Sequence, residues 1–126
     1  MPEIAILIFD GITALDAVGP YEVLQRLPGA HVRMLGARRG PVRTHEGSLS
    51  LVADYELAEA AHPDLVVVPG GFGVERLLRD EATLTWIREA HASSQWTTSV
   101  CTGSLLLGAA GVLRGLRATT HWNSLE

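Results

Sequence analysis

The sequence predicts an α/β fold in which helices cover both faces of a mainly parallel β-sheet. Residues 3–9 and 64–69 are apolar runs with the character of buried strands, and the β-branched run at residues 96–100 is expected to be a third strand. Helical patterns lie between these runs, and that alternation is typical of parallel sheets joined by crossover helices. At 126 residues the chain fits one domain, expected to span residues 1–126,.

In the first half of the chain, the strand at residues 3–9 is expected to end at Asp10-Gly11,. Apolar positions then recur at helical spacing over residues 13–27, where Gly19-Pro20 is expected to interrupt the helix and Pro20 to begin a second segment,. Residues 31–35 alternate as a strand does. A turn at residues 36–41 then leads into a hairpin over residues 42–52,.

In the second half, a short helix is expected at residues 57–60, and Gly70-Gly71 should end the strand at residues 64–69,. Further helices are predicted at residues 74–79, 82–92 and 103–113, with the third strand at residues 96–100 between the last two,. Residues 117–120 have the composition of the start of another strand,.

Composition excludes several classes of function. Hydrophobic residues make up 47% of the chain, and 10 basic against 14 acidic residues give a net charge of −4. The basic cluster of Arg38, Arg39 and Arg43 is too small for a polyanion surface, so direct nucleic-acid binding is not expected,. The apolar runs are shorter than the roughly 20 residues of a membrane helix, and no secretory signal is recognisable,. A cytoplasmic protein is expected.

Cys101 is the only cysteine, which excludes an internal disulfide and a multi-cysteine metal site,. It lies where a β-branched run ends and a helix with small first-turn residues begins, as in the turn that exposes a nucleophile,. The N-terminus of a helix favours thiolate over thiol, and Thr102 offers a hydroxyl beside the sulfur,. A plain buried cysteine is the alternative.

Other candidates lie at the carboxyl ends of the predicted strands, where ligands bind in parallel sheets. Gly70 and Gly71 could donate backbone N–H groups to an oxyanion or could simply form a turn,. Asp16 could act chemically or favour the helix N-terminus,. His121 could orient a thiol or be structural,. No role is assigned to the remaining histidines, which show no metal-ligand spacing: His31, His45, His62 and His91.

Four segments taken together resemble the DJ-1/PfpI superfamily, and most closely its isonitrile hydratase branch. They are Leu15-Asp-Ala-Val-Gly-Pro-Tyr-Glu-Val-Leu24, Val68-Pro-Gly-Gly-Phe-Gly73, the stretch from Ser99-Val-Cys-Thr-Gly-Ser104 to Leu113, and Arg117-Ala-Thr-Thr-His-Trp122. The resemblance runs in register over essentially the whole chain. It implies the layered, flavodoxin-like α/β/α fold shared with class I glutamine amidotransferase-like proteins.

The resemblance also implies a reaction and a set of residues. In this branch the motif cysteine is the nucleophile, the next threonine assists and an aspartate of the first helix completes the site; these positions are Cys101, Thr102 and Asp16. Other branches carry a glutamate where Asp16 stands. The implied activity is hydration of an isonitrile to the N-substituted formamide through a cysteine thioimidate. Gly70 and Gly71 are expected to hold the polarised intermediate, and His121 is a secondary candidate.

The resemblance implies no cofactor and no metal, an isonitrile as the small-molecule ligand, and a homodimer. Family members continue beyond the Thr-Thr-His-Trp element, so the C-terminal part of the family fold is expected to be absent from this chain. Two alternatives remain open. One is the ligand-sensing domain of an AraC-type transcription regulator, which shares these elements, and the other is a stress-protection or redox-sensing protein whose cysteine oxidises reversibly.

Overall fold

The computed structural model describes residues 2–124. Its strands are β1 Glu3–Leu7, β2 His31–Gly36, β3 Gly40–Arg43, β4 Ser50–Ala53, β5 Tyr55–Glu56, β6 Leu65–Val68 and β7 Trp96–Ser99. Its α-helices are α1 Ala14–Leu24, α2 Val74–Leu77, α3 Glu81–Ser93 and α4 Gly103–Ala109. Single 3₁₀ turns occupy Leu57–Ala60 and Trp122–Ser124.

Five strands form one parallel sheet in the order β5-β2-β1-β6-β7. At its centre, Ile6 of β1 pairs with Met34 of β2 on one side and with Val67 of β6 on the other. The chain leaves β1 for β2 and later returns to the opposite side of β1 as β6. The direction of winding therefore reverses between β1 and β6, which is where ligands bind in open parallel sheets.

The core is built on β1, whose continuous apolar run is buried because helices and loops cover both faces of the sheet. Residues 4–9 are all buried, as are Val66 and Val68 of β6, Ile87 of α3 and Leu106 of α4. Burial of each such aliphatic side chain stabilises the fold by about 1.5–3 kcal/mol relative to exposure. The layered fold with a mainly parallel sheet is confirmed.

The predicted hairpin is present as the antiparallel pair β3–β4, in which Val42 pairs with Leu51. Its turn reaches back to the end of β1: Thr44 forms an isolated bridge with Ile12, and the His45 N–H donates to the Ile12 carbonyl at 3.0 Å. The hairpin thereby brings His45 to the carboxyl end of the sheet.

Helix α1 corrects the prediction made from its proline. It runs without interruption from Ala14 to Leu24 through Pro20, so no second segment begins there. Proline removes one N–H donor, but the backbone pattern resumes beyond it, since the Gln25 N–H donates to the Tyr21 carbonyl at 3.0 Å. The large apolar side chains of α1 do not form its buried face. Asp16 and Ala17 are buried, whereas Leu15 and Val23 are exposed.

Two predictions after β7 were also wrong. Helix α4 ends at Ala109 rather than at residue 113, and residues 117–120 join no strand ladder. Gly111 and Gly115 turn the chain with left-handed φ values of 86° and 75°, which helical geometry does not allow. Thr120 is then anchored at the carboxyl end of β7 by a side-chain hydrogen bond. Among residues 2–124, no helix has the length and apolar character needed to cross a membrane.

Candidate active site

Cys101 occupies the sharp turn between β7 and α4. With φ of 54° it is the one non-glycine residue of the described chain in the left-handed region, a conformation that costs about 1–3 kcal/mol for a side chain with a Cβ. The turn is held on both sides: the Val100 N–H donates to the Val68 carbonyl at 3.0 Å, and the Gly103 N–H donates to the Val100 carbonyl at 2.9 Å. The strain places the thiol at the apex of the turn, as a nucleophile elbow requires.

Gly103 lets α4 pass close against the end of β6. A Cβ built on Gly103 would lie 1.9 Å from the Val68 carbonyl oxygen and 2.8 Å from that of Pro69. Both neighbours are backbone atoms, so neither can turn aside. The elbow therefore depends on glycine two residues after the cysteine.

Two consecutive N–H groups at the end of β6 hold two side chains of the site. The Gly70 N–H donates to Asp16 Oδ2 at 3.2 Å, and the Gly71 N–H donates to Thr102 Oγ1 at 3.0 Å. The turn itself is fixed to α1, since the Thr13 N–H donates to the Gly70 carbonyl at 2.9 Å. With its oxygen accepting from Gly71, the Thr102 hydroxyl keeps its own proton available for donation.

Close approach explains why both of these residues are glycines. A Cβ on Gly70 would lie 2.5 Å from Thr102 Oγ1, and one on Gly71 would lie 2.3 Å from the Gly11 carbonyl oxygen. Gly71 also has φ of 138°, which side chains rarely adopt,. A larger residue at either position would separate Asp16 from Thr102.

Asp16 is an acid with an unusual environment. Only 8% of it is exposed. Burial raises the pKa of its carboxyl group above the ordinary value, while the hydrogen bond from Gly70 and the charge of His121 act in the opposite direction,. Because burial is the largest of the three effects, the protonated form is favoured relative to an aspartate in water.

A groove of about 570 Å³ opens over the elbow, and Cys101, Thr102 and His121 line it. Its apolar walls come from Phe72, Val74, Leu78 and Leu105. Phe72 is 81% exposed at the rim and packs edge-on against His45, with ring centroids 5.0 Å apart. Asp16 is not part of this lining and lies behind the glycine pair. The groove thus places apolar walls beside the thiol, together with polar side chains that include Glu75 and Asn123.

The sequence matches the profile of the DJ-1/PfpI family over residues 2–126. The chain belongs to the DJ-1/PfpI family.

Relatives of this family member include both enzymes and regulators. It is 45% identical to an isonitrile hydratase of Pseudomonas putida, covering 95% of this chain and 52% of that protein. It is 32% identical to the HTH-type transcriptional regulator CdhR of Pseudomonas aeruginosa, covering 89% of this chain and 33% of the regulator. The chain therefore spans about half of the first relative and a third of the second.

A solved structure supports the same fold. The crystal structure of a THiJ/PfpI family protein from Pseudomonas syringae superposes with a TM-score of 0.91 at 35% identity, covering 96% of this chain and 50% of that one. At this similarity the two proteins share their fold over nearly the whole of this chain.

Within this DJ-1/PfpI domain, the structure links most of the sequence-predicted residues. The consecutive residues Gly70 and Gly71 link Asp16 and Thr102 through one backbone hydrogen bond each, and Thr102 is the residue next to Cys101. Within residues 2–124 no hydrogen bond joins the Cys101 sulfur to Asp16 or His121. The Gly70 and Gly71 N–H groups are already engaged by Asp16 and Thr102, so the structure shows them as positioning donors. Their expected contact with an intermediate stays a prediction.

His121 lies at the edge of the groove rather than deep within it. Its ring stacks on Trp122 with centroids 5.3 Å apart, and its Nδ1 accepts the Asn123 N–H at 3.1 Å. That bond leaves Nε2 as the ring nitrogen able to carry the proton of a neutral imidazole.

Sequence reasoning missed His45 and Phe72, which line the groove. The signal for Phe72 was its place between two glycines directly after a buried strand, where a large apolar side chain has no core to fill. His45 carried no such signal, since its position depends on the hairpin turn packing against Ile12. The described residues contain no cluster of three metal-ligating side chains.

Proposed function

We propose that this chain carries the catalytic cysteine of an isonitrile hydratase, which converts R–N≡C and water into R–NH–CHO. The observation that carries the proposal is the glycine pair, whose two N–H groups hold the buried Asp16 carboxyl group and the hydroxyl of Thr102, the residue that follows Cys101 at the strained elbow. The similarity to an isonitrile hydratase supports the choice of reaction. The apolar groove walls suit a hydrocarbon R group,.

In the first step the Cys101 thiolate adds to the terminal carbon of the isonitrile, and a new C–S bond forms. That carbon takes a proton from the Asp16 carboxyl group, which gives the thioimidate R–N=CH–S–Cys and leaves a carboxylate. Burial favours the protonated acid before this step,. If this carboxyl group were exposed, it would be ionised near neutral pH and would have no proton to donate.

In the second step water adds across the C=N bond, giving oxygen to carbon and a proton to nitrogen. The Asp16 carboxylate then accepts the hydroxyl proton of the tetrahedral adduct while the C–S bond breaks. This releases the formamide and returns both the thiolate and the protonated acid. No cofactor or metal takes part in the sequence of steps.

Thr102 orients the groups that exchange protons. Its oxygen is held by the Gly71 N–H, so its own proton can point to the nitrogen of the substrate or to the attacking water. Asp16 lies behind the glycine pair, so its proton reaches the substrate carbon through an approach past Gly70 and Thr102. Gly70 and Gly71 hold this geometry through their N–H groups.

The test is an assay of isonitrile consumption and formamide release by the full-length protein. Cys101→Ala and Cys101→Ser should abolish turnover, because serine preserves shape but not nucleophilicity, and both variants should keep the circular dichroism of the wild type. Asp16→Asn should slow turnover strongly yet leave alkylation of Cys101 by iodoacetamide close to the wild-type rate. Formamide production by Cys101→Ala at the wild-type rate would refute the mechanism.

A second candidate is the ligand-sensing part of a transcription regulator. The 32% identity to CdhR over 89% of this chain favours it. In that case the groove binds a small molecule without turning it over. Binding of an isonitrile with no formamide release, together with a DNA-binding segment elsewhere in the gene product, would decide for the regulator.

A further inference from the structure

The carbonyl oxygen of Cys101 accepts hydrogen bonds from two hydroxyl groups. Ser104 Oγ donates to it at 3.4 Å and Thr120 Oγ1 at 3.1 Å. Ser104 lies three residues ahead in the first turn of α4, so its bond is local. Thr120 lies 19 residues after Cys101, in the segment that follows the turns after α4.

The Thr120 bond acts on the strained residue of the site. A non-glycine residue stays in the left-handed region only when its surroundings over-determine its conformation. Val100 and Gly103 restrain the peptides that flank Cys101, whereas Thr120 restrains the carbonyl of Cys101 itself. Loss of this bond would allow the peptide after Cys101 to rotate and would carry the thiol away from the apex.

The same bond also fixes the segment that carries His121. Residues 117–120 belong to no strand, and Thr120 ties them to the elbow immediately before His121. His121 then lines the groove together with Cys101. One hydroxyl therefore sets the position of the sulfur and of the neighbouring imidazole at once.

We propose that Thr120 is a positioning residue of the active site, whose hydroxyl holds the Cys101 elbow and the His121 segment together for reaction. The proposal rests on the proposed function for its catalytic consequence. It gives a physical role to the second threonine of the Thr-Thr-His-Trp element, which the reaction steps above leave unused.

The experiment compares four variants of the full-length protein. Thr120→Val and Thr120→Ala remove the hydroxyl with different packing, Thr120→Ser keeps it, and Thr119→Val is the matched control at an exposed neighbour. Two quantities are measured on folded protein: kcat and KM for isonitrile hydration, and the rate of Cys101 alkylation by iodoacetamide. The alkylation rate is read by mass spectrometry on the peptide that contains Cys101, the only cysteine of this sequence, so it reports this site alone.

Thr120→Val and Thr120→Ala should lower kcat and the alkylation rate about tenfold with little change in KM, the order expected for one lost hydrogen bond that orients a reacting group. Thr120→Ser and Thr119→Val should stay within about twofold of the wild type. Alkylation at or above the wild-type rate in both Thr120→Val and Thr120→Ala would overturn the proposal, as would equal impairment of Thr120→Ser. Alkylation needs no isonitrile, so slowed alkylation in a protein without hydratase activity would reject the proposed function and keep the role of Thr120.

Discussion

At the scale of single residues, the site depends on how one buried carboxyl group is held. Asp16 is buried in the first turn of α1, and its carboxyl group accepts one backbone hydrogen bond, from the Gly70 N–H. A single hydrogen bond offsets part of the desolvation penalty of a carboxylate, so the acid keeps a raised pKa,. A carboxylate that accepted several hydrogen bonds would instead stay ionised and would have no proton to donate.

This carboxyl group makes the stability of the protein depend on pH in a defined direction. Because the pKa of Asp16 is raised in the folded state, the folded protein binds more protons than the unfolded chain at pH values between the ordinary and the raised pKa. The contribution of Asp16 to stability is therefore present at low pH and is lost as pH rises through the raised pKa.

We expect the free energy of unfolding of the wild type, minus that of Asp16→Asn, to fall as pH rises from about 4. The asparagine keeps an oxygen for the Gly70 N–H but does not titrate. Urea unfolding of both proteins over a series of pH values measures the difference. A difference that grows with pH would show that the folded state favours the carboxylate, which contradicts the role of Asp16 as proton donor.

The sequence predicted which residues belong to the site better than how they are connected. Cys101 and Thr102 follow a recognisable strand end, and Asp16 follows the first strand, so their shared edge was predictable from parallel topology. The hydrogen bonds that the Gly70 and Gly71 N–H groups donate could not be predicted, because they depend on how α1 and the elbow are placed relative to the end of β6. The apolar spacing over residues 13–27 offered no reason to expect Asp16 on the buried face of α1, yet the structure buries it.

At the scale of elements, α4 shows how closely the elbow is packed. Two of its glycines differ in their surroundings: Gly103 lies against the carbonyl oxygen of Val68, while a Cβ on exposed Gly108 would meet only the end of Leu113 at 4.0 Å. The same substitution in one helix therefore tests packing separately from helix propensity.

Gly103→Ala should destabilise the protein by about 2 kcal/mol or more, because the added methyl collides with backbone that must move. Gly108→Ala should instead stabilise it by up to about 1 kcal/mol through the higher helix propensity of alanine. Thermal and urea unfolding measure both changes. If the two substitutions changed the stability equally, α4 would not pack closely against the end of β6 at Gly103.

Strands were predicted more accurately than the segment after α4, because β1 and β6 are continuous apolar runs and β7 carries consecutive β-branched residues,. β1, β6 and β7 were each found within two residues of their expected bounds. Residues 117–120 carry β-branched side chains as well, but their position is set by the Thr120 hydrogen bond to the elbow rather than by a strand ladder. A propensity pattern contains no information about that tertiary bond.

At the scale of the whole molecule, the site lies where the winding of the sheet reverses, between β1 and β6. The glycine pair follows β6, Asp16 lies near the start of α1, which follows β1, and Cys101 follows β7, the strand next to β6. Outside the site, α1 leaves large apolar side chains in water, with Leu15 73% and Val23 69% exposed. Exposed apolar groups of this kind are stabilised by contact with another surface.

We predict a homodimer in which these residues of α1 are covered by the second copy. Leu15→Glu combined with Val23→Glu should convert the dimer to a monomer, because burying two carboxylates carries a large desolvation penalty. Leu116→Glu is the control at an exposed apolar residue outside α1. Sedimentation velocity measures the outcome, and a wild-type protein that sediments as a monomer at micromolar concentration would contradict the prediction.

The proposed reaction depends on a covalent bond that forms between the Cys101 sulfur and the substrate carbon during turnover. The direct measurement is peptide mass mapping of wild-type protein that has been mixed with an isonitrile and quenched with acid within the first turnover. We expect the peptide containing Cys101 to gain the mass of one isonitrile molecule, and the gain to disappear once substrate is consumed. Formamide release with no mass gain on this peptide at any time would contradict it.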